Sequence, residues 1–196
     1  EATVQPSQES FASLEAGNHP VPEVQLDPAT HLMALPYSSG TVGLPKGVML
    51  THQNLAINVT QSAAVGLEES DVILGVLPLY HIFGMNVMMN TGLATGGTLV
   101  LLPRFELETF LAAVQRYRAT YVFLVPPILV ALAKHPVVGN YDLSSLRRVL
   151  SGAAPLGEAL ARQVEDRLGC KVIQGYGLTE TSPVALVSAL DGSMPR

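Results

Sequence analysis

Cysteine is almost absent from this chain: Cys170 stands alone among 196 residues. An internal disulfide framework is therefore excluded, and the usage fits a reducing cytoplasm. Read plainly, Cys170 is a small residue at the edge of a strand. Charge is scarce too, at 14% of residues against 48% hydrophobic, the balance of a heavily buried globular chain. Residues 1–36 lack lysine and arginine altogether yet hold Glu1, Glu9, Glu15, Glu23 and Asp27, so this segment carries the whole net charge of −5 and the remaining acids and bases balance at 11 each. No basic patch argues for nucleic acid. No cationic start followed by an apolar run marks a signal peptide, and the apolar stretches are broken by Gly or Pro well short of a membrane span, which reads as a soluble protein. His19, His31, His52 and His135 show no metal-ligand spacing, and no internal repeat or low-complexity tract is visible.

What is present falls into two parts. Residues 1–36 contain five prolines and little periodicity, which predicts an extended lead-in rather than a packed element. After Pro36, short apolar and often β-branched runs at 72–77, 98–102, 121–125, 148–150, 172–174 and 184–190 read as buried strands. Between them lie helical patterns. Residues 106–118 put Leu107, Phe110, Leu111, Val114 and Tyr117 on one face, with acids in the first turn and arginines in the last. Residues 157–168 repeat the device with Leu160, Val164 and Leu168, and Thr51 can cap a third helix carrying Leu55 and Val59. Strands interleaved with helices imply an α/β fold, a largely parallel β-sheet flanked by helices, with ligands at the carboxyl ends of the strands.

The most distinctive segment is LPYSSGTVGLPKGVML at 35–50. Ser38, Ser39, Gly40, Thr41, Val42 and Gly43 form a loop of small and hydroxyl residues, and Lys46 follows. Small residues let backbone N–H groups approach an anion, hydroxyls donate to its oxygens, and the lysine supplies countercharge. A Walker A loop needs glycine where Pro45 stands and a hydroxyl residue in place of Gly47, so that class is disfavoured. Taken alone, the segment reads first as an ordinary polar turn. Three more segments accompany it: PLYHIFG at 78–84, SGAAPLG at 151–157 and QGYGLTETSP at 174–183. Tyr176 lies between two glycines that clear room on both sides of its ring, as a stacked base requires, though a half-buried tyrosine would look the same.

In this order the four segments resemble the acyl-adenylate-forming superfamily of acyl-CoA synthetases, firefly luciferases and peptide-synthetase adenylation domains, over about residues 27–190. SGAAPLG looks most like the 4-coumarate:CoA ligase branch. The resemblance implies ATP-dependent activation of a carboxylic acid and transfer to CoA, on part of the N-terminal domain of an adenylate-forming enzyme. It divides the chain at 36, with 37–196 a partial AMP-binding domain and the small C-terminal domain absent. ATP and CoA are the implied co-substrates and Mg²⁺ the metal.

Residue by residue, the resemblance assigns the β and γ phosphates to Lys46 and the 38–43 loop, a phosphate to Thr179, and magnesium to Glu180. Val42 departs from the family pattern, which usually has a second threonine there. The adenine side falls to Gly152, Ala153, Ala154, Gln174, Gly175, Tyr176 and Gly177. His81 takes a gating role between the two half-reactions. Phe83, Val125, Pro126, Ala153, Gln174 and Gly175 line an acyl pocket, and the phenylalanine at 83 lacks the hydroxyl that hydroxycinnamate users often carry. Arg104 resembles a residue that meets CoA phosphate, and a plain surface arginine fits it as well. Two alternatives remain at this point, a peptide-synthetase adenylation domain and a non-catalytic nucleotide-binding remnant. Neither the acid nor the oligomeric state can be read.

Overall fold

A computed structural model describes residues 11–17, 20, 23–38, 43–62 and 65–190. Within the segment expected to be an extended lead-in, α1 (Phe11–Ala16) is helical, a proline-free stretch of helix-compatible residues. Further on, β1 (Leu32–Ala34) pairs antiparallel with β4 (Leu50–Thr51), and between them β2 (Tyr37–Ser38) pairs antiparallel with β3 (Lys46–Gly47). Helix α2 (His52–Ser62) follows at once. Thr51 caps it as expected: the Asn54 N–H donates to Thr51 Oγ1 at 3.2 Å, and the Thr51 N–H donates back to Asn54 Oδ1 at 3.0 Å.

The central sheet has six strands, β5 (Val72–Gly75), β6 (Thr98–Leu101), β7 (Tyr121–Leu124), β8 (Arg148–Ser151), β9 (Lys171–Gly177) and β10 (Val184–Val187). Their order is β10-β9-β8-β7-β5-β6, with β5 to β9 mutually parallel and β10 antiparallel to β9. All six apolar runs thus become strands, most of them shorter than the run. Alternate residues along each strand face opposite ways. Leu74, Val122, Leu124, Val149 and Val172 pack against α4 (Leu107–Tyr117), α5 (Pro126–Lys134) and α6 (Glu158–Leu168), through Phe110, Leu111, Val114, Leu129, Leu132 and Val164. On the other face Ile73, Tyr121, Phe123, Leu150 and Ile173 meet Phe83, Val87 and Met88. Burial on both faces explains why the strands read as continuous apolar runs rather than alternating ones.

Two details depart from the expected helices. Tyr117, expected on the buried face of α4, is exposed: the helix ends at Arg118, which turns left-handed with φ 52°, so Tyr117 lies past the covered surface with the Arg116 guanidinium over its ring. The inner face of α2 is Leu55, Asn58 and Ser62, and Val59 is only half-buried. Two elements were not anticipated. Helix α5 opens on Pro126 and Pro127, where a missing N–H costs nothing. A π-helical stretch, Phe83–Asn90, runs into α3 (Thr91–Ala94). Among the described residues no helix is long and apolar enough to cross a membrane. Cys170 is buried, and that burial, with the Glu165 charge adding to it, pushes its thiol up to about 12.

Candidate active site

Ser38 and Lys46 are register partners in the β2–β3 hairpin, so the glycine-rich segment is the hairpin's connecting loop. The sequence places that loop after an apolar strand of the parallel sheet, and here the structure differs. The flanking strands are two residues long and lie outside the six-stranded sheet, because Pro36 and Pro45 deny the ladder donors on either side. Gly43 takes φ +86°, a left-handed turn that suits glycine. Ser39, Gly40, Thr41 and Val42 lie outside the described residues.

The other two loops do sit at the carboxyl end of the sheet. The 151–157 segment leaves β8 at Ser151, where the Gly152 N–H donates to Leu124 O at 3.2 Å and keeps the loop beside Val125 and the start of α5. Ala153 is left-handed, with φ 69°. A side chain at Gly152 would come within 2.9 Å of the Phe83 ring, so glycine there lets the phenylalanine lie against the backbone. Phe83 meets Phe123 edge-on at 6.0 Å between ring centroids. The 174–183 segment begins inside β9. Gln174 sits opposite Ser151 in register, and its Oε1 accepts from the Leu156 N–H at 3.2 Å, which ties the two loops together. Tyr176 is 60% exposed, its ring open to a stacking partner.

Beyond Gly177 the chain makes a tight 3₁₀ turn, Thr179–Thr181, and folds back into β10. The fold-back is close: a side chain at Gly177 would stand 2.0 Å from Pro183 O. Glu180 is exposed at the tip of this turn, and its Oε1 accepts from Ser38 Oγ at 3.2 Å. The β2–β3 hairpin and the Thr-Glu-Thr turn, 142 residues apart in sequence, therefore meet through two of the predicted site residues. His81 is exposed at the head of the π-helical stretch. Its Nδ1 accepts from the Phe83 N–H at 3.2 Å, which leaves the proton of the neutral ring on the outward Nε2.

Arg104 stands apart. It follows β6, four strand positions from Tyr176, or roughly 19 Å at ordinary strand spacing. It lines a cavity of about 700 Å³ with Pro78, Leu79, Tyr80 and Phe105, so it shares a mouth with the residues preceding His81.

Among the described residues no group of three His, Cys, Asp or Glu side chains could hold a metal ion on its own. What Glu180 and its neighbours offer is one carboxylate beside hydroxyl oxygens. That donor set fits a hard cation such as magnesium, held mainly by water and the phosphates of its substrate.

Sequence reasoning missed what lies beneath the turn. Asn58 of α2 and Asn86 of the π-helical stretch are buried, and their side-chain amides reach the backbone carbonyls of Thr181, Ser182 and Val184. Asn58 could have been found from its helical register with Leu55, which puts a polar residue on an inner face.

A family model described as "AMP-binding enzyme" matches residues 1–196, the whole chain. The chain belongs to the AMP-binding enzyme family. Among curated members it is similar to 4-coumarate–CoA ligase 2 of Nicotiana tabacum, 46% identical over 176 residues, or 87% of this chain and 32% of the relative. Among solved members it is similar to a natural red-emitting luciferase of Phrixothrix hirtus, with a TM-score of 0.81, 32% identity, and coverage of 96% of this chain and 38% of the luciferase. A long-chain-fatty-acid-CoA ligase of Archaeoglobus fulgidus gives a TM-score of 0.78 at 30% identity, covering 90% of this chain and 37% of the ligase. The chain thus spans about a third of the length of these family members. Its mostly parallel, helix-flanked sheet is the architecture it shares with them.

Proposed function

We propose that the protein carrying this chain activates a carboxylic acid with ATP and transfers the acyl group to CoA. The observation that carries the reading is the Ser38–Glu180 hydrogen bond, which brings the phosphate hairpin onto the Thr-Glu-Thr turn. The similarity to 4-coumarate–CoA ligase 2 and to the fatty-acid ligase sets the reaction class. A carboxylate oxygen of the acid attacks the α-phosphorus of ATP, pyrophosphate leaves, and an acyl adenylate forms. The CoA sulfur then attacks the acyl carbon, and AMP leaves.

Both steps develop charge on phosphoryl oxygens, which positioned N–H groups and cations stabilise. Lys46, with the 38–43 segment, holds the β and γ phosphates, and Thr179 donates to a phosphate oxygen. Glu180 is the residue that would hold magnesium, whose charge offsets that of the phosphates. Tyr176 stacks on the adenine, with Gly152, Ala153, Ala154, Gln174, Gly175 and Gly177 as the floor beneath it. Phe83, with Gly152 against its ring, lines the acid's slot together with Val125, Ala153, Gln174 and Gly175. His81 gates thiol entry from the side on which Arg104 would meet the phosphates of CoA.

Residues 37–196 are read here as part of the adenylating domain, working in a reducing cytoplasm. The test is acid-dependent ATP–pyrophosphate exchange by the intact protein against a panel of aryl and fatty acids, followed by thioester formation on adding CoA. Exchange with at least one acid is expected. Exchange with none would overturn the reading.

A further inference from the structure

The turn that carries Thr179 and Glu180 has little packing of its own. Glu180 is exposed and Thr179 half-buried, and three carbonyls on the inner side, those of Thr181, Ser182 and Val184, meet buried donors. Two buried side-chain amides serve all three. Asn86, wholly buried, donates through Nδ2 to Ser182 O at 2.7 Å. Asn58, 1% exposed, donates to Val184 O at 2.9 Å and Thr181 O at 3.3 Å.

Neither amide is free to rotate. Asn90 donates to Asn86 Oδ1 at 2.9 Å and Ser62 donates to Asn58 Oδ1 at 3.3 Å, while Asn86 Nδ2 also reaches Asn58 Oδ1 at 3.4 Å. Each oxygen thus accepts, which leaves each nitrogen aimed at the turn.

The two asparagines come from different elements. Asn58 belongs to α2, which leaves the β2–β3 hairpin within a few residues, and Asn86 belongs to the π-helical stretch that begins at Phe83. The wider turn of a π-helix shifts residues on its face relative to an α-helix, a common device where a side chain must reach a particular point. A satisfied buried polar network specifies one arrangement of the elements it joins, whereas apolar packing tolerates small slips between them. Losing one of its donors leaves a buried carbonyl without a partner.

We propose that Asn86 and Asn58 are positioning residues that hold the Thr179–Ser182 turn in register with the phosphate hairpin and with the helix behind His81 and Phe83. The inference rests on the reading of Glu180 given above. Neither asparagine touches substrate; both act through the placement of Glu180 and Thr179.

The test compares Asn86→Leu, which fills the same volume without a donor, with Asn58→Ser in the intact protein. Amide hydrogen exchange across 178–184 is expected to quicken roughly three- to tenfold, the factor carried by one ordinary hydrogen bond, with no change in α6. The magnesium concentration giving half-maximal ATP–pyrophosphate exchange is expected to rise by a similar factor. In a Glu180→Gln background, Asn86→Leu should change that concentration less than about twofold, because the two act through one group.

Unaltered exchange at 178–184, loosening spread evenly over the sheet, or a magnesium effect that persists without Glu180 would each overturn the proposal. If Asn86→Leu does not fold, Asn90→Ala, which removes only the group orienting Asn86, is expected to move both readouts the same way by less. If the unsubstituted protein shows no pyrophosphate exchange with any acid, the functional reading fails and hydrogen exchange alone decides the positioning role.

Discussion

Two residues described above, Glu180 and His81, carry separable expectations. Glu180 is exposed, and among the described residues its carboxylate is bound to Ser38 Oγ alone, so removing its charge takes away little packing. Glu180→Gln is expected to lower acid-dependent pyrophosphate exchange about a hundredfold, as loss of a charge-stabilising group does, with an unshifted melting temperature. Equal activity of the two proteins at saturating magnesium would remove the metal assignment. His81 tests the second half-reaction. Among the described residues its ring is tied to the Phe83 N–H alone, so His81→Ala leaves the packing of the π-helical stretch in place. Single-turnover measurements should show thioester formation slowed more than adenylation; equal slowing of both would point to a packing role.

At the scale of elements, α4 shows how a helix start can be titrated. Glu106 caps it, accepting from the Thr109 N–H at 2.7 Å and the Glu108 N–H at 3.1 Å, and from the Thr109 hydroxyl as well. The Thr109 hydroxyl and these two N–H groups hold the Glu106 carboxyl below the usual glutamate value. Because the folded value is depressed, the stabilisation is present above the unfolded value of about 4.3 and is lost as pH falls through the folded one. Glu106→Gln is therefore expected to melt below the parent protein at pH 7, with the gap closing under acid. A gap that stays constant from pH 7 to pH 3 would show that the charge contributes nothing to the cap.

The same element shows what was legible in advance. Apolar spacing located α4 and α6 nearly to the residue, since both lay one face on the sheet. Helix α5 escaped because nearly all its residues are apolar and it follows β7 almost directly, so no period separates strand from helix. The π-helical stretch escaped for a related reason: its geometry depends on the fit of Gly84 against Pro78 O, where a side chain would stand 2.4 Å away. Of the candidate site, the motif residues could be singled out in the sequence because their order and spacing are local. Of the asparagines beneath them, Asn58 keeps helical register with Leu55 and was open to notice, whereas Asn86 lies in a π-helical stretch whose register an α-helical period does not follow. The β2–β3 hairpin lies off the parallel sheet at whose strand ends a ligand loop was expected, because its pairing of 37–38 with 46–47 leaves no local pattern in two-residue strands.

For the molecule as a whole, Cys170 reports on integrity. It is 6% exposed, and burial holds its thiol up at about 12, so at pH 8 it is both shielded and protonated. Alkylation of the native protein is expected to be slow and to accelerate to the rate of a free thiol across the denaturant midpoint seen by circular dichroism. Rapid labelling without denaturant would mean that α6 and β9 separate in the folded state.

The two borders of the central sheet differ in kind. At one, β10 runs against its neighbours, its hydrogen-bonding rim turned outward with Leu186 67% exposed. At the other, β6 runs with the array and is only four residues long, ending just before Pro103 and Arg104. Strand-by-strand recruitment of a second polypeptide needs a long, flat rim without proline or charge. Among the described residues neither border supplies one: β10 and β6 are four residues each, and β6 has both deterrents at its exit. Through these two borders, crowded native molecules should thus gain little from rim-to-rim stacking.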